Sequence, residues 1–155
     1  MAFCGVKNVG KTTLLCGLIP ALRARSLKVA VIKSDGHDFE PDVPGTDSYR
    51  LTRAGAAGVA VYSPYRYMIV REMTVGLEDL APRFADCHLI LLEGGKNSPY
   101  PKIELLRQGV SEGLVGRPPH LAYCVSGQFE LTGAPRLEMD DYEGLADLLE
   151  SYLRR

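Results

Sequence analysis

Apolar positions along the chain follow two rhythms. Leu14, Leu15, Leu18, Ile19 and Leu22 recur at helical spacing, which predicts a helix from Thr12 to about Ala24 with one buried face. Pro20 lies inside that pattern; it lacks an amide donor and crowds the carbonyl of Cys16, so a kink is expected there. A second amphipathic helix is predicted from Tyr142 to Leu153, with Leu145, Leu148, Leu149 and Leu153 on one side. Shorter helices are expected at Ser48 to Ala54 and Leu77 to Phe84. Between them stand short apolar runs that read as strands: Ala2 to Cys4, Lys28 to Lys33, Val59 to Tyr62, Tyr67 to Val70, Cys87 to Leu92, Ile103 to Leu106 and Leu121 to Val125. The first is only three residues long, so the chain is expected to begin inside that strand. Ser34 to Asp47, rich in Asp, Gly and Pro, reads as a loop. Several strands are continuous apolar runs, the pattern of strands buried on both faces. Alternation of strands with helices then predicts an α/β fold with a mostly parallel sheet flanked by helices. One domain over residues 1–155 is expected at this length.

Composition narrows the class without setting a function. Hydrophobic residues make up 46% and charged residues 24%, a globular balance. Lys and Arg total 18 against 19 Asp and Glu, so net charge gives no reason to expect nucleic acid or an anionic membrane as partner. No apolar run approaches the ~20 residues that cross a bilayer, and no charged, apolar leader precedes Cys4. Cys4, Cys16, Cys87 and Cys124 lie in apolar stretches with no C-x-x-C spacing. They are expected to be small buried hydrophobes in a reducing, cytoplasmic compartment.

The chemistry begins at Gly5-Val-Lys-Asn-Val-Gly10-Lys11-Thr12-Thr13, which matches G-x-x-x-x-G-K-[ST] between a strand and a helix. Glycines let the backbone fold back so that its N–H groups point inward, and the helix adds unpaired donors and the positive end of its dipole. Gly5, Asn8, Val9, Gly10, Lys11, Thr12 and Thr13 are therefore the candidate phosphate-binding residues. Lys11 is expected to supply a point charge to the β- and γ-phosphates, and the Thr12 hydroxyl can ligate Mg²⁺. A Lys in the first turn opposes the helix dipole, so stability alone does not explain it. Lys7 reads as a solvated loop residue; the extra lysine that some P-loop ATPases carry after the first loop glycine is replaced here by Val6.

Leu89 to Glu93, followed by Gly94, has the form of a Walker B strand, which delivers a carboxylate to Mg²⁺ or its water shell. The bland alternative is a strand-terminal Glu that faces solvent. Asp35, just past the second strand, is expected at the same rim as a ligand of Mg²⁺ or water. Lys11, Asp35 and Glu93 are the candidate catalytic residues, and Thr12, Asp35 and Glu93 the candidate metal ligands. His37 and Asp38 read either as turn residues or as part of that rim.

These motifs, with Leu18-Ile-Pro-Ala-Leu22, Val31-Ile-Lys33, His37-Asp-Phe39, Asp42, Pro44 to Tyr49, Ala54-Gly-Ala56, Lys96, Pro101-Lys-Ile103, Arg107 and Asp140 to Asp147, give the chain a resemblance to the MobB family. That family comprises the GTP-binding adaptors of molybdopterin-guanine dinucleotide biosynthesis. The resemblance spans nearly the whole chain, and its most specific part is the segment from His37 to Ala56. It implies a homodimeric P-loop NTPase fold that binds GTP with Mg²⁺, hydrolyses it slowly and assists the guanylyltransferase that joins GMP to molybdopterin. It also implies a small β extension for dimer contact, supplied by Tyr62 to Val70 or by the strands around Lys102 to Leu106. Three positions depart from the family pattern. Ser34 stands where a His is usual, Gly95 where Phe is usual, and Ser126-Gly127 where a strand would end in a base-proximal Asp. No Asn-Lys-x-Asp occurs, so guanine preference rests on the resemblance. The family pattern also suggests that Asp35, Asp42 and Asp47 beside Lys33, Arg50, Lys96, Lys102 and Arg107 form a rim for a second anionic ligand such as a pterin phosphate, or else are mixed surface charge. A small-molecule kinase with His37 or Asp35 as base is the alternative that shares the same loop. A nucleotide-dependent metal-delivery protein is the third; it would call for a Cys/His cluster that the sequence does not display.

Overall fold

The computed structural model describes residues 1–154. The chain divides into two compact units: Met1–Ser34 with Leu80–Arg155, and Asp35–Asp79.

The first unit is built on a six-stranded parallel sheet. Its strands are β1 (Ala2–Cys4), β2 (Val29–Lys33), β5 (Leu89–Glu93), β6 (Lys102–Arg107), β7 (His120–Ser126) and β8 (Arg136–Glu138), in the spatial order β2-β5-β1-β6-β7-β8. All the pairings are parallel, so every strand ends on the same edge of the sheet. Helix α1 (Lys11–Ala24) joins β1 to β2, a short helix α3 (Leu77–Leu80) precedes β5 in the chain, and the C-terminal helix α4 (Tyr142–Leu153) packs beside α1. Leu14, Leu15, Leu18 and Leu22 of α1 meet Leu145, Ala146 and Leu149 of α4 over Phe3, Leu91, Ile103, Leu105, Ala122 and Cys124 of the sheet. Pro20 sits within α1 on the exposed side of that helix. Leu106, Tyr123 and Val125 form a separate cluster, covered by Phe129, Leu131 and Ala134 from the β7–β8 connection. Part of the sheet is thus flanked by irregular chain where the alternating pattern suggested helices. The connections after β6 and β7 run as loops.

β6 carries two fully buried charged residues. Lys102 Nζ donates to the carbonyls of Ser98 (2.5 Å) and Tyr100 (2.9 Å), tying down the loop that precedes the strand. Lys102 is therefore not part of a solvent-facing basic rim, contrary to the sequence-based expectation; its place in a strand between β1 and β7 takes it into the interior. The same position rules out β6 as a dimerisation extension, because both of its edges are paired within the sheet. Glu104 accepts from the backbone N–H groups of Val115 (2.5 Å) and Gly116 (3.0 Å), and its Oε2 lies 2.6 Å from His120 Nε2. This one carboxylate organises the connection between β6 and β7.

The cysteines divide by position. Cys4 and Cys124 are buried in strands and Cys87 is half-buried. Cys16 is exposed, against expectation, because it falls on the outer face of α1 between the buried Leu15 and Leu18.

In the second unit, α2 (Asp47–Arg53) leads into an antiparallel hairpin of β3 (Gly58–Ser63) and β4 (Arg66–Arg71). Thr46 caps α2 by accepting from Tyr49 N at 3.3 Å. Asp42 supports that cap: its Oδ1 accepts from Val43 N at 2.8 Å and from the Thr46 hydroxyl. Hydrogen bonds from Ser48 first, then Val43 and Thr46, hold the Asp42 carboxyl below its ordinary range. The acidic loop is thus partly a capping device.

Candidate functional site

The segment between β1 and α1 turns through three left-handed residues, Gly5 (φ 140°), Asn8 (φ 62°) and Gly10 (φ 111°). Torsion calls for glycine at both ends, and at Gly5 space does too, because the neighbouring atom there is backbone. A Cβ on Gly5 would lie 2.7 Å from the Leu105 carbonyl oxygen, and one on Gly10 would lie 2.9 Å from Arg107 Nη2. Val9 has its side chain in the core, which anchors the loop and leaves only its backbone for a ligand. Gly10 is the N-cap of α1; no side chain caps the helix and no acidic residue occupies its first turn. The N–H groups at the start of α1 are therefore free of side-chain partners, the arrangement that binds anions.

Lys11 curls back over the loop, where Nζ donates to the carbonyls of Val6 (2.8 Å) and Gly5 (3.1 Å). Its charge is thereby held directly above the turn. Thr12 Oγ1 donates to Glu93 Oε1 at 2.6 Å. Glu93 closes β5, the strand adjacent to β1, and it is 8% exposed, so it does not simply face solvent. Two hard oxygen donors on neighbouring elements, beside a loop shaped for phosphate, have the chemistry that Mg²⁺ takes alongside phosphate oxygens. Lys11, Thr12 and Glu93 are thus brought together within the first unit. Thr13 follows on the exposed start of α1. Asp35 is the first residue of the second unit; its exposed carboxylate accepts from His37 N at 3.4 Å in a tight turn.

A cavity of about 390 Å³ opens beside the loop. Gly10 and Thr13 form one wall, and Arg107, Ser126, Glu138 and Asp140 stand at the exits of β6, β7 and β8. Sequence reading missed Glu138 because β8 is three residues long with a single half-buried side chain, too short for a periodic signal. The local signal was Arg136-Leu-Glu138 between Pro135 and the acidic start of α4. The sequence places Arg107 among the family-matching positions and the rim charges; its approach to Gly10 is a tertiary fact.

The chain is similar to known proteins in sequence and in fold. The family model described as MobB, molybdopterin guanine dinucleotide synthesis protein B, matches residues 1–125. The chain is 36% identical to the molybdopterin-guanine dinucleotide biosynthesis adapter protein of Escherichia coli, across 100% of this chain and 93% of that one. It is also 36% identical to the adapter protein of the same name from Haemophilus influenzae, across 96% and 86%. A crystal structure of molybdopterin-guanine biosynthesis protein B superposes with a TM-score of 0.77 at 26% identity, covering 99% of this chain and 98% of that one. The crystal structure of Bacillus subtilis MobB gives 0.76 at 25% identity, covering 97% and 94%.

Proposed function

Because this chain belongs to the molybdopterin guanine dinucleotide synthesis protein B family, we propose that it is an adapter of molybdopterin-guanine dinucleotide biosynthesis whose working ligand is Mg²⁺-GTP. The observation that carries the nucleotide reading is the 2.6 Å bond between Thr12 and Glu93 at the mouth of a glycine loop that ends in an uncapped helix. In this reading the N–H groups of residues 8–13 hold the phosphate oxygens, and Lys11 leaves its two carbonyls to meet the β- and γ-phosphates. Thr12 and Glu93 would hold Mg²⁺, which when bound neutralises phosphate charge. Glu93 would orient the attacking water, and slow hydrolysis is in keeping with a nucleotide state that governs a partner. That partner is the guanylyltransferase that joins GMP to molybdopterin, and the cytoplasm is the compartment where this chemistry is expected. The protein works as a homodimer, with the β3–β4 hairpin as contact; Tyr62, Tyr67 and Ile69 of one hairpin face are exposed.

The test is competition binding of GTP, ATP and their diphosphates, with and without Mg²⁺, to the parent chain and Lys11→Ala. The parent should bind GTP best and need Mg²⁺ for the triphosphate. Lys11→Ala should lose at least about a hundredfold in triphosphate affinity, the scale of a charge-assisted phosphate contact in a partly dry site, with the fold retained. Equal GTP binding by the variant would sink the phosphate-loop assignment.

A further inference from the structure

The nucleotide reading leaves the base without a recognition element, since β7 ends in Ser126-Gly127. We propose that the cavity between α1 and the exits of β6, β7 and β8 is the nucleobase pocket, and that the carboxylates of Glu138 and Asp140 make it selective for guanine. This rests on the phosphate loop holding a triphosphate.

Position comes first. The phosphates over residues 5–12 leave the sugar and base to depart past Thr13, the next residue of α1. Thr13 and Gly10 are the wall of this cavity. β6, β7 and β8 step away from β1 in order, all with their C-terminal ends on the same edge. Three strand spacings of about 4.8 Å put the end of β8 roughly 14 Å from the loop. A cavity of about 390 Å³ is within the range of small-molecule sites.

Charge is graded along that path. Arg107 lies against Gly10, with its guanidinium at the phosphate end and no ion pair among the described residues. Glu138 and Asp140 stand at the β8 end, and their carboxylates likewise have no ion-pair partner among the described residues. The neighbouring Asp141 is already used: it caps α4 by accepting from Gly144 N at 2.9 Å.

The chemistry then selects the base. An ionised carboxylate only accepts hydrogen bonds. The Watson–Crick edge of guanine offers it two donors, N1–H and the 2-amino group. Adenine offers the 6-amino group but sets the N1 lone pair beside it, which a carboxylate repels. Discrimination by an unmet or repelled polar group is the strong kind. Inosine, which keeps N1–H and lacks the 2-amino group, should fall between the two.

The experiment is competition of GTP, ITP and ATP against a fluorescent guanosine triphosphate on the full chain with Mg²⁺, comparing the parent with Glu138→Gln, Asp140→Asn and the double variant. The parent should rank GTP over ITP over ATP. The double variant should lower the GTP-to-ATP affinity ratio at least about tenfold, and at least one single variant should account for most of that loss. Two results would overturn the inference: a parent that binds GTP and ATP alike, or a double variant that keeps the parent's ratio. The parent's own ranking decides the matter if the double variant fails to fold. A parent that binds no triphosphate at all defeats the phosphate-loop reading itself, a different result from binding without preference.

Discussion

At the scale of single residues, environment decides which chemically similar groups can act. Burial first, and then the Glu104 charge, push the Cys4 thiol up to about 12; burial and then Asp141 do the same for Cys124. At pH 8 each is about one part in ten thousand thiolate, and thiolate is the reactive form. Raising the pH to 9 should leave both inert. Titration of the native chain with a disulfide reagent should therefore label Cys16 first and Cys87 more slowly, with Cys4 and Cys124 labelled only after unfolding; four rapid thiols in the native state would refute this. Glu93 is buried as well. Its Oε1 accepts from Thr12, and Gln keeps that acceptor while removing the charge. Glu93→Gln should thus lower single-turnover GTP hydrolysis at least about tenfold and change GTP affinity far less. Equal loss of both would leave Glu93 with its metal-holding or a structural role alone and remove it from the hydrolytic step. Lys11, Thr12 and Glu93 were legible because a loop motif and a strand-end carboxylate are local patterns. Glu104 and His120 were not, because their partners lie far along the chain and a polar residue within an apolar run gives no sign of what it will meet.

At the scale of elements, the connection between β6 and β7 hangs on Glu104. Glu104→Ala would leave the N–H groups of Val115 and Gly116 and the His120 ring without their acceptor. Removing one partner from a buried charged network costs about 3–5 kcal/mol, so the urea midpoint should fall markedly and amide exchange should accelerate first in residues 111–119. A loss under about 1 kcal/mol would show that water replaces the carboxylate there. The joint between α1 and α4 is a weaker case. Arg25 Nη2 donates to Glu143 Oε2 at 2.7 Å, and Nη1 pairs with Asp147 Oδ1 at 2.6 Å. Both carboxylates are largely exposed, so Arg25→Ala should cost only about 1 kcal/mol, and 1 M salt should erase most of the difference in thermal midpoint. The long helices were legible from periodicity over three or more turns. β8 was not: three residues show no period, and its strand character comes from pairing with Tyr123 to Val125.

At the scale of the whole molecule, the second unit has a two-stranded sheet, which is seldom stable without a further covering layer. Tyr62 and Tyr67 are directly paired across β3 and β4, 85% and 75% exposed, with Ile69 on the same face. Covering that face with a second copy accounts for its composition. Replacing Tyr62 and Tyr67 with Ser and Ile69 with Lys should convert a dimer to a monomer in sedimentation velocity, and a parent that sediments as a monomer would defeat the dimer proposal. The sequence by itself determined the α/β alternation, the glycine turn before α1, the strand-end position of Glu93 and the family resemblance, since each is encoded in contiguous residues whose spacing matches one turn, one strand or one helix face. Tertiary structure alone decided that Lys102 is buried, that Arg107 lies against Gly10, and that Glu138 and Asp140 share a cavity with Thr13. Those facts depend on strand order, and strand order is set by long-range pairing that no local pattern contains.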